Sequence, residues 1–207
     1  MEAMSKRMKS GPGKTGRPIS FDKDAALEAA MLLFWERGFE GTSMADLTQA
    51  MGLNPSSIYA AFGDKHALFS LAVRRYLETR ARYAEEALAE PTLDKVIRAL
   101  FDKTVAFLTT PGHPSTCMTL AGSMGCSVDA TPARDLMTEI RKLNEIAIRE
   151  RLLEARKSGE LSKDINVDDY TRFLSLMLAS LSVQAANGST KAELKRTAQM
   201  ALRHLGY

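Results

Sequence analysis

The tightest constraint on this chain lies between residues 22 and 63, where three short apolar helical periods are each shut by a glycine. Leu27, Ala30, Met31 and Phe34 fall at i, i+3, i+4 and i+7, one face of a helix. Asp22 stands where a side chain caps its start, and Gly38 where the helix ends. Thr42 and Ser43 offer the next cap, and Ser43-Met-Ala-Asp46 has the pattern of a capping box. Met44, Leu47 and Met51 give the second helix its buried face, and Gly52 breaks it. Asn54 caps a third helix, with Pro55 in its first turn, where a missing N–H costs nothing. Ile58 and Phe62 face inward, Gly63 ends this helix, and Asp64 caps the next.

The remainder also reads as helical. One long helix is expected from about Asp64 to Glu90, closed by Pro91, and another from Leu93 to Leu108. A loop at Pro111-Gly-His-Pro114 precedes a glycine-broken apolar segment from Cys117 to Cys126. Thr131-Pro132 opens a helix reaching about Lys157, Asn166 caps one to Asn187, and the last ends near His204. No alternating strand pattern and no internal repeat interrupts this. The expected fold class is all-α with about nine helices, organised as an arm (1–20), a small domain (21–66) and a larger helical domain (67–207).

At 207 residues and 45% hydrophobic, the chain can bury one good core or two small ones. No apolar run approaches the ~18 residues of a membrane span, so no membrane partner is expected. The amino end is basic and polar rather than signal-like, which points to the cytoplasm. Two cysteines, Cys117 and Cys126, make no disulfide framework. Charge is unevenly placed. Residues 1–20 hold Lys6, Arg7, Lys9, Lys14 and Arg17 against Glu2, a net of 5 − 1 = +4. Residues 21–70 hold three basic groups against seven acids, a net of 3 − 7 = −4. The charge that would meet a polyanion therefore sits mainly in the arm.

Two short helices joined through Met51-Gly52-Leu53 have the spacing of a helix-turn-helix, which presents its second helix to the DNA major groove. The stretch from Phe34 to Leu47, the run from Ala50 to Lys65 and the ending Ile58-Tyr59-Ala-Ala-Phe62-Gly-Asp-Lys65-His-Ala-Leu68 resemble the DNA-binding domain of the TetR family. The resemblance covers about residues 21–70. It implies a homodimer, the first three helices on DNA and a ligand cavity among the middle helices. Asn54, Ser56 and Ser57, at the amino end of the third helix, carry donors and acceptors for base edges or phosphates. Pro55, Ala60 and Ala61 suit thymine methyl contacts. Tyr59 and Lys65 match the family's phosphate-contacting tyrosine and lysine, and Thr42 and Ser43 start the second helix where it would meet backbone. Pro55 and Ala60-Ala61 stand where many relatives carry a basic residue and an aromatic–His pair, which leaves more of the reading to DNA shape and to the arm. Gly16-Arg17-Pro18 fits a narrow A·T-rich minor groove.

The implied partners are a palindromic operator duplex, a second copy of the chain and a small molecule of unknown identity. Phe101, Val105, His113, Cys117, Met118, Met124, Met137 and Met177 are the expected pocket residues. Tyr170, Phe173, Leu174, Met177 and Leu181 form one stripe near the carboxyl end, and Leu194, Ala198, Leu202 and Leu205 another. These suit a four-helix bundle across a two-fold axis, or equally the domain's own core. His113, Cys117 and Cys126 also raise a thiol- or metal-responsive alternative. The spacing matches no recognised zinc pattern, however, and no cationic neighbour beyond His113 activates a thiol. Nothing forms a catalytic triad or a phosphate loop, so neither catalytic residues nor a cofactor are expected.

Overall fold

The computed structural model describes residues 21–121 and 128–207. Expectations resting on the arm, including Arg17, and on Met124 and Cys126 lie outside them.

The described residues form ten α-helices and a 3-10 turn: α1 (Lys23–Arg37), α2 (Met44–Met51), α3 (Pro55–Phe62), α4 (Lys65–Thr79), α5 (Tyr83–Leu88), α6 (Leu93–Leu108), α7 (Met118–Ala121), the turn Val128–Ala130, α8 (Thr131–Ser158), α9 (Val167–Ala186) and α10 (Lys191–His204). Nine of the helices run six residues or longer, and α7 is a single turn, so the all-helical expectation holds.

The first three helices are set by local chemistry. Asp22 accepts from the backbone N–H of Asp24 and Ala25, starting α1. Ser43 and Asp46 close a full capping box on α2. Gly52 then turns the chain at φ +64°, a left-handed conformation open to glycine at little cost. Asn54 accepts from the N–H of Ser57 at 2.8 Å, and Asp64 caps α4 through Ala67. Leu47, Ile58 and Phe34 meet in a core shared with Phe69 of α4, whose ring stands edge-on to Phe34 at 5.1 Å.

The expected continuous helix from 64 to 90 is two helices. Nothing between them is a glycine or proline. The break is made by tertiary packing: Arg80, at the end of α4, is drawn to Glu28 of α1 at 2.6 Å, while Tyr83 stacks on Phe107 of α6 at 4.5 Å. One straight helix would have to give up one of these contacts. The division at residue 66 is likewise less sharp than the sequence suggests. Trp35 of α1 packs edge-on against Tyr76 of α4 at 4.8 Å, and Glu28 binds Arg75 at 2.6 Å. Thus α4 is rooted in the small domain and carries it into the larger one.

In the larger domain α6 is the hub. It buries Leu93, Val96, Ile97, Leu100, Phe101, Val105 and Leu108, and packs against α5, α9 and α10. Its amino end is held by Glu160, just past α8, which accepts from the Leu93 N–H at 2.6 Å. That bond, with a second from Ser158, holds the Glu160 carboxyl below its ordinary range.

Candidate nucleic-acid interface and adjoining cavity

The amino end of α3 is an exposed polar edge of the small domain. Asn54, Pro55, Ser56 and Ser57 follow the Gly52 turn, with Ser56 donating to the Asn54 side chain at 2.8 Å. Asn54 thus spends its carbonyl oxygen on capping and on Ser56, beside the exposed Ser56 and the half-buried Ser57. Tyr59, one turn on, is 50% exposed, unusual for a large aromatic on a helix whose other face is closed by Ile58 and Phe62. Ala60 is exposed and Ala61 half-buried, so a surface of methyls flanks the tyrosine.

Of the expected contacts, one is closed off and one is engaged within the chain. Thr42 is fully buried and donates its hydroxyl to the Gly38 carbonyl at 2.8 Å. It ties α1 to α2 and is closed to DNA; Ser43 alone caps α2 at the surface. Lys65 is half-buried, with its ammonium 4.2 Å from the centre of the Phe39 ring. Burial lowers its pKa, partly offset by Glu40. A phosphate contact from Lys65 would have to share that cation–π packing.

The acids of this domain are largely committed. Asp22, Asp46 and Asp64 cap helices, and Glu28 is neutralised by Arg75 and Arg80. Burial pushes the Glu28 carboxyl up, but its bonds to the two guanidiniums outweigh that and leave it below its ordinary value. Arg75 and Arg80 lie outside the residues counted for the net −4 and offset part of it.

A cavity of about 530 Å3 lies between α5, α6, α8 and α9. Leu100, Leu108, Ile148 and Leu178 supply apolar wall, and Tyr83, Thr104, Cys117, Thr119, Arg141, Ser175 and Ser182 supply polar groups. The Cys117 N–H donates to the Ser182 hydroxyl at 2.7 Å, and the Cys117 Sγ lies 3.0 Å from the Thr119 hydroxyl. Tyr76 of α4 donates to the same sulfur at 3.5 Å. Tyr76 touches Trp35, and Trp35 donates its indole N–H to the Thr116 carbonyl at 2.8 Å. A chain of direct contacts therefore joins the cavity wall to α1.

Of the expected pocket residues, Cys117 lines this cavity. Phe101, Val105, Met118 and Met137 are buried in the core, and Met177 packs partly buried against it. His113 packs in a cluster of three rings with Trp35 at 4.7 Å and Phe107 at 5.0 Å, with its Nδ1–H donating to the Pro114 carbonyl. Among the described residues, no three His, Cys, Asp or Glu side chains gather into a metal-binding group. Arg141, Ser175 and Ser182 were missed because helical period marks apolar faces. The available signal was the run of small hydroxyl residues, Thr171, Ser175 and Ser182, on the inner side of α9.

Most residues of the carboxyl-terminal stripes face the chain's own core, the second of the two roles their pattern allowed. Leu174, Leu181, Leu194, Ala198 and Leu202 are buried inside the chain, and Tyr170 and Leu205 pack half-buried at the edge of that core. The large exposed apolar residues of these helices are Phe173, Leu176 (65% exposed, and also on the rim of the cavity) and Val183 on α9 and Met200 on α10. Of the expected dimer residues, only Phe173 is on that surface.

No helix among the described residues is long and apolar enough to cross a membrane. Residues 26–72 match the family model described as bacterial regulatory proteins, tetR family. The chain is 30% identical over 188 residues to the transcriptional repressor BdcR of Escherichia coli, covering 90% of each protein. It is 29% identical to the repressor ComR of the same organism, covering 91% of this chain and 90% of ComR. Its fold superposes with a TM-score of 0.87 and 34% identity on a cysteine variant of CifR, a TetR family transcriptional regulator solved in complex with 26-bp double-strand operator DNA. That match covers 91% of this chain and 98% of CifR. A helix-turn-helix with an exposed reading edge, joined through α4 to a hollow helical domain and alike in sequence and fold to these regulators, places the chain in the TetR family as a DNA-binding transcriptional repressor.

Proposed function

We propose that the protein binds a palindromic operator as a homodimer in the cytoplasm, with α3 in the major groove, and that a small molecule taken up between α5, α6, α8 and α9 releases it. The observation that carries the DNA reading is the exposed edge of α3. Asn54, Ser56 and Ser57 stand at a helix amino end, where the helix dipole favours anions, and the exposed Tyr59 lies one turn on. Ser43 at the start of α2 and Lys65 at the start of α4 flank the edge for backbone contacts. Pro55, Ala60 and Ala61 offer apolar contact to thymine methyls and little hydrogen-bonded readout. The arm, with Arg17, supplies the net positive charge that this domain lacks.

The exposed residues Phe173, Leu176, Val183 and Met200 support a second copy packing on the outer faces of α9 and α10. The contacts from Cys117 through Tyr76 to Trp35 support a route from ligand to DNA. A molecule filling the cavity would press on the wall against α4, and α4 carries α1.

The test uses the full chain and a chain lacking residues 1–17, titrated against duplexes selected from a random pool over a range of salt. Removing the arm takes away a net +4. Affinity is expected to fall, and the slope of log K against log salt to shrink by roughly one unit per lost phosphate contact. An unchanged slope would show that the arm takes no part.

A further inference from the structure

Among the described residues, the cavity wall carries a guanidinium that no carboxylate meets and a buried hydroxyl that has no partner. Arg141 lies half-buried on its wall. Its guanidinium donates to the Thr119 carbonyl at 2.6 Å and to the Thr138 hydroxyl at 3.0 Å, both neutral. No carboxylate among the described residues pairs with it, although ten such ion pairs occur elsewhere. A guanidinium has five N–H donors, so most of its bonding capacity and all of its charge remain unanswered. The Ser175 Oγ, on the facing helix α9, is buried and has no hydrogen-bond partner. A buried polar atom without a partner is uncommon enough to need a reason. The other hydroxyls of the wall are occupied: Ser182 with the Cys117 N–H, Thr119 with the Cys117 sulfur, and Tyr83 with Thr104.

The other charges on the wall limit the answer. Glu85 and Glu145 are exposed, and Arg172 is bound to Asp169 at 3.1 Å. Two exposed carboxylates would repel a polyanion, whereas one anionic group can pass them and meet Arg141 in a less polar setting. Apart from Asn144, the rest of the wall is aliphatic, and the volume falls within the range that encloses drug-sized molecules.

We infer that the cavity takes a monocarboxylate with an apolar body, its carboxylate on Arg141 and the Ser175 hydroxyl as a further donor to the same head. This rests on the ligand-release reading above and names the chemical class it lacks. A carboxylate suits the guanidinium fork because two N–H groups can meet its two oxygens side by side.

The test is calorimetric titration of the full chain with naphthoate, phenylbutyrate and octanoate, each beside the neutral alcohol of the same carbon skeleton. At least one acid is expected to bind about ten- to a hundredfold more tightly than its alcohol, the range of one charge-assisted contact. Arg141→Gln is expected to abolish that preference, and Arg141→Lys to keep part of it. The comparison of acid with alcohol in the unaltered chain decides the matter even if Arg141→Gln does not fold. Alcohols that bind as well as their acids, an acid preference that survives Arg141→Gln, or no binding by any acid would each overturn the inference. Operator binding measured on the same preparation separates the two readings. Acids that bind with the expected preference yet leave operator affinity unchanged would refute ligand release while upholding the chemical class.

Discussion

The two halves of this protein solve opposite problems. Around α1 to α4 the interior is closed by interlocking rings: Phe34, Phe39 and Phe69 pack together, and Trp35 lies among Tyr76, Phe107 and His113. Between α5, α6, α8 and α9 the chain instead leaves a space of about 530 Å3. The closed half holds the α3 edge in one shape, which reading DNA requires. The hollow half leaves room for an occupant, which the proposed ligand response requires. Tyr76 stands at their junction, fully buried, with Trp35 on one side and the Cys117 thiol on the other. Burial, with the nearby Cys117 adding to it, pushes the Tyr76 phenol well above its ordinary value, so it meets the thiol as a neutral donor.

The largest expected effect sets one half directly against the other. Phe34→Ala should lower stability by about 3–5 kcal/mol, because the closed aromatic core cannot collapse around the loss. Ala179→Leu adds bulk on the cavity wall and should change stability by less than about 1.5 kcal/mol, since the space already exists. Denaturant unfolding of both variants checks this, and equal losses would mean the cavity is not hollow in solution.

A smaller effect concerns the seam between α1 and α4. Glu28→Gln removes two charge-assisted bonds, from Arg75 and Arg80, and should cost roughly 1.5–3 kcal/mol at neutral pH. The folded pKa of Glu28 lies below its ordinary 4.5, so its stabilising contribution is present above that value and is lost as pH falls through the folded pKa. The gap between variant and wild type should therefore close in acid. A gap that stayed constant with pH would assign the loss to packing.

At the reading edge the energies are smaller still, and the measurement must divide folding from recognition. Asn54→Ala should cost about 1 kcal/mol of stability through the lost cap, whereas Asn54→Ser and Asn54→Asp should cost little. If Asn54→Ser keeps the fold yet loses operator binding as badly as alanine, Asn54 contacts the DNA itself. Tyr59→Phe should leave stability within about 0.5 kcal/mol, as an exposed substitution does. It should weaken binding to operator and non-operator duplexes alike, because phosphate contacts carry no sequence. A loss confined to operator DNA would instead give the tyrosine a part in base reading.

The same contrast explains what could be read from the sequence. The starts and ends of α1 to α3 follow from Asp22, Ser43, Asp46, Asn54 and the glycines at 38, 52 and 63, each acting within four residues of its own helix. Such signals are local, so the sequence displays them. The turn between α4 and α5 has no local signal; it is imposed by Glu28 and Phe107, far away in the chain. The faces of α9 and α10 posed a harder problem. Both helices carry apolar residues on more than one side, and periodicity shows that a stripe exists without showing what covers it. Leu174 and Leu181 meet the chain's own core, while Leu176 and Val183 point out. Thr42 was misplaced for a related reason: a threonine beside a cap looks like surface until its hydroxyl is found on the Gly38 carbonyl.

The most direct test of the account is hydroxyl-radical footprinting of the full chain on duplexes recovered from a random pool. Two copies bound about a two-fold axis, each with α3 in a major groove, should protect two inverted half-sites on one face of the helix. Their centres should lie about 34–36 Å apart, or a multiple of that. A single asymmetric half-site protected by one copy, or protection that does not depend on sequence, would contradict it.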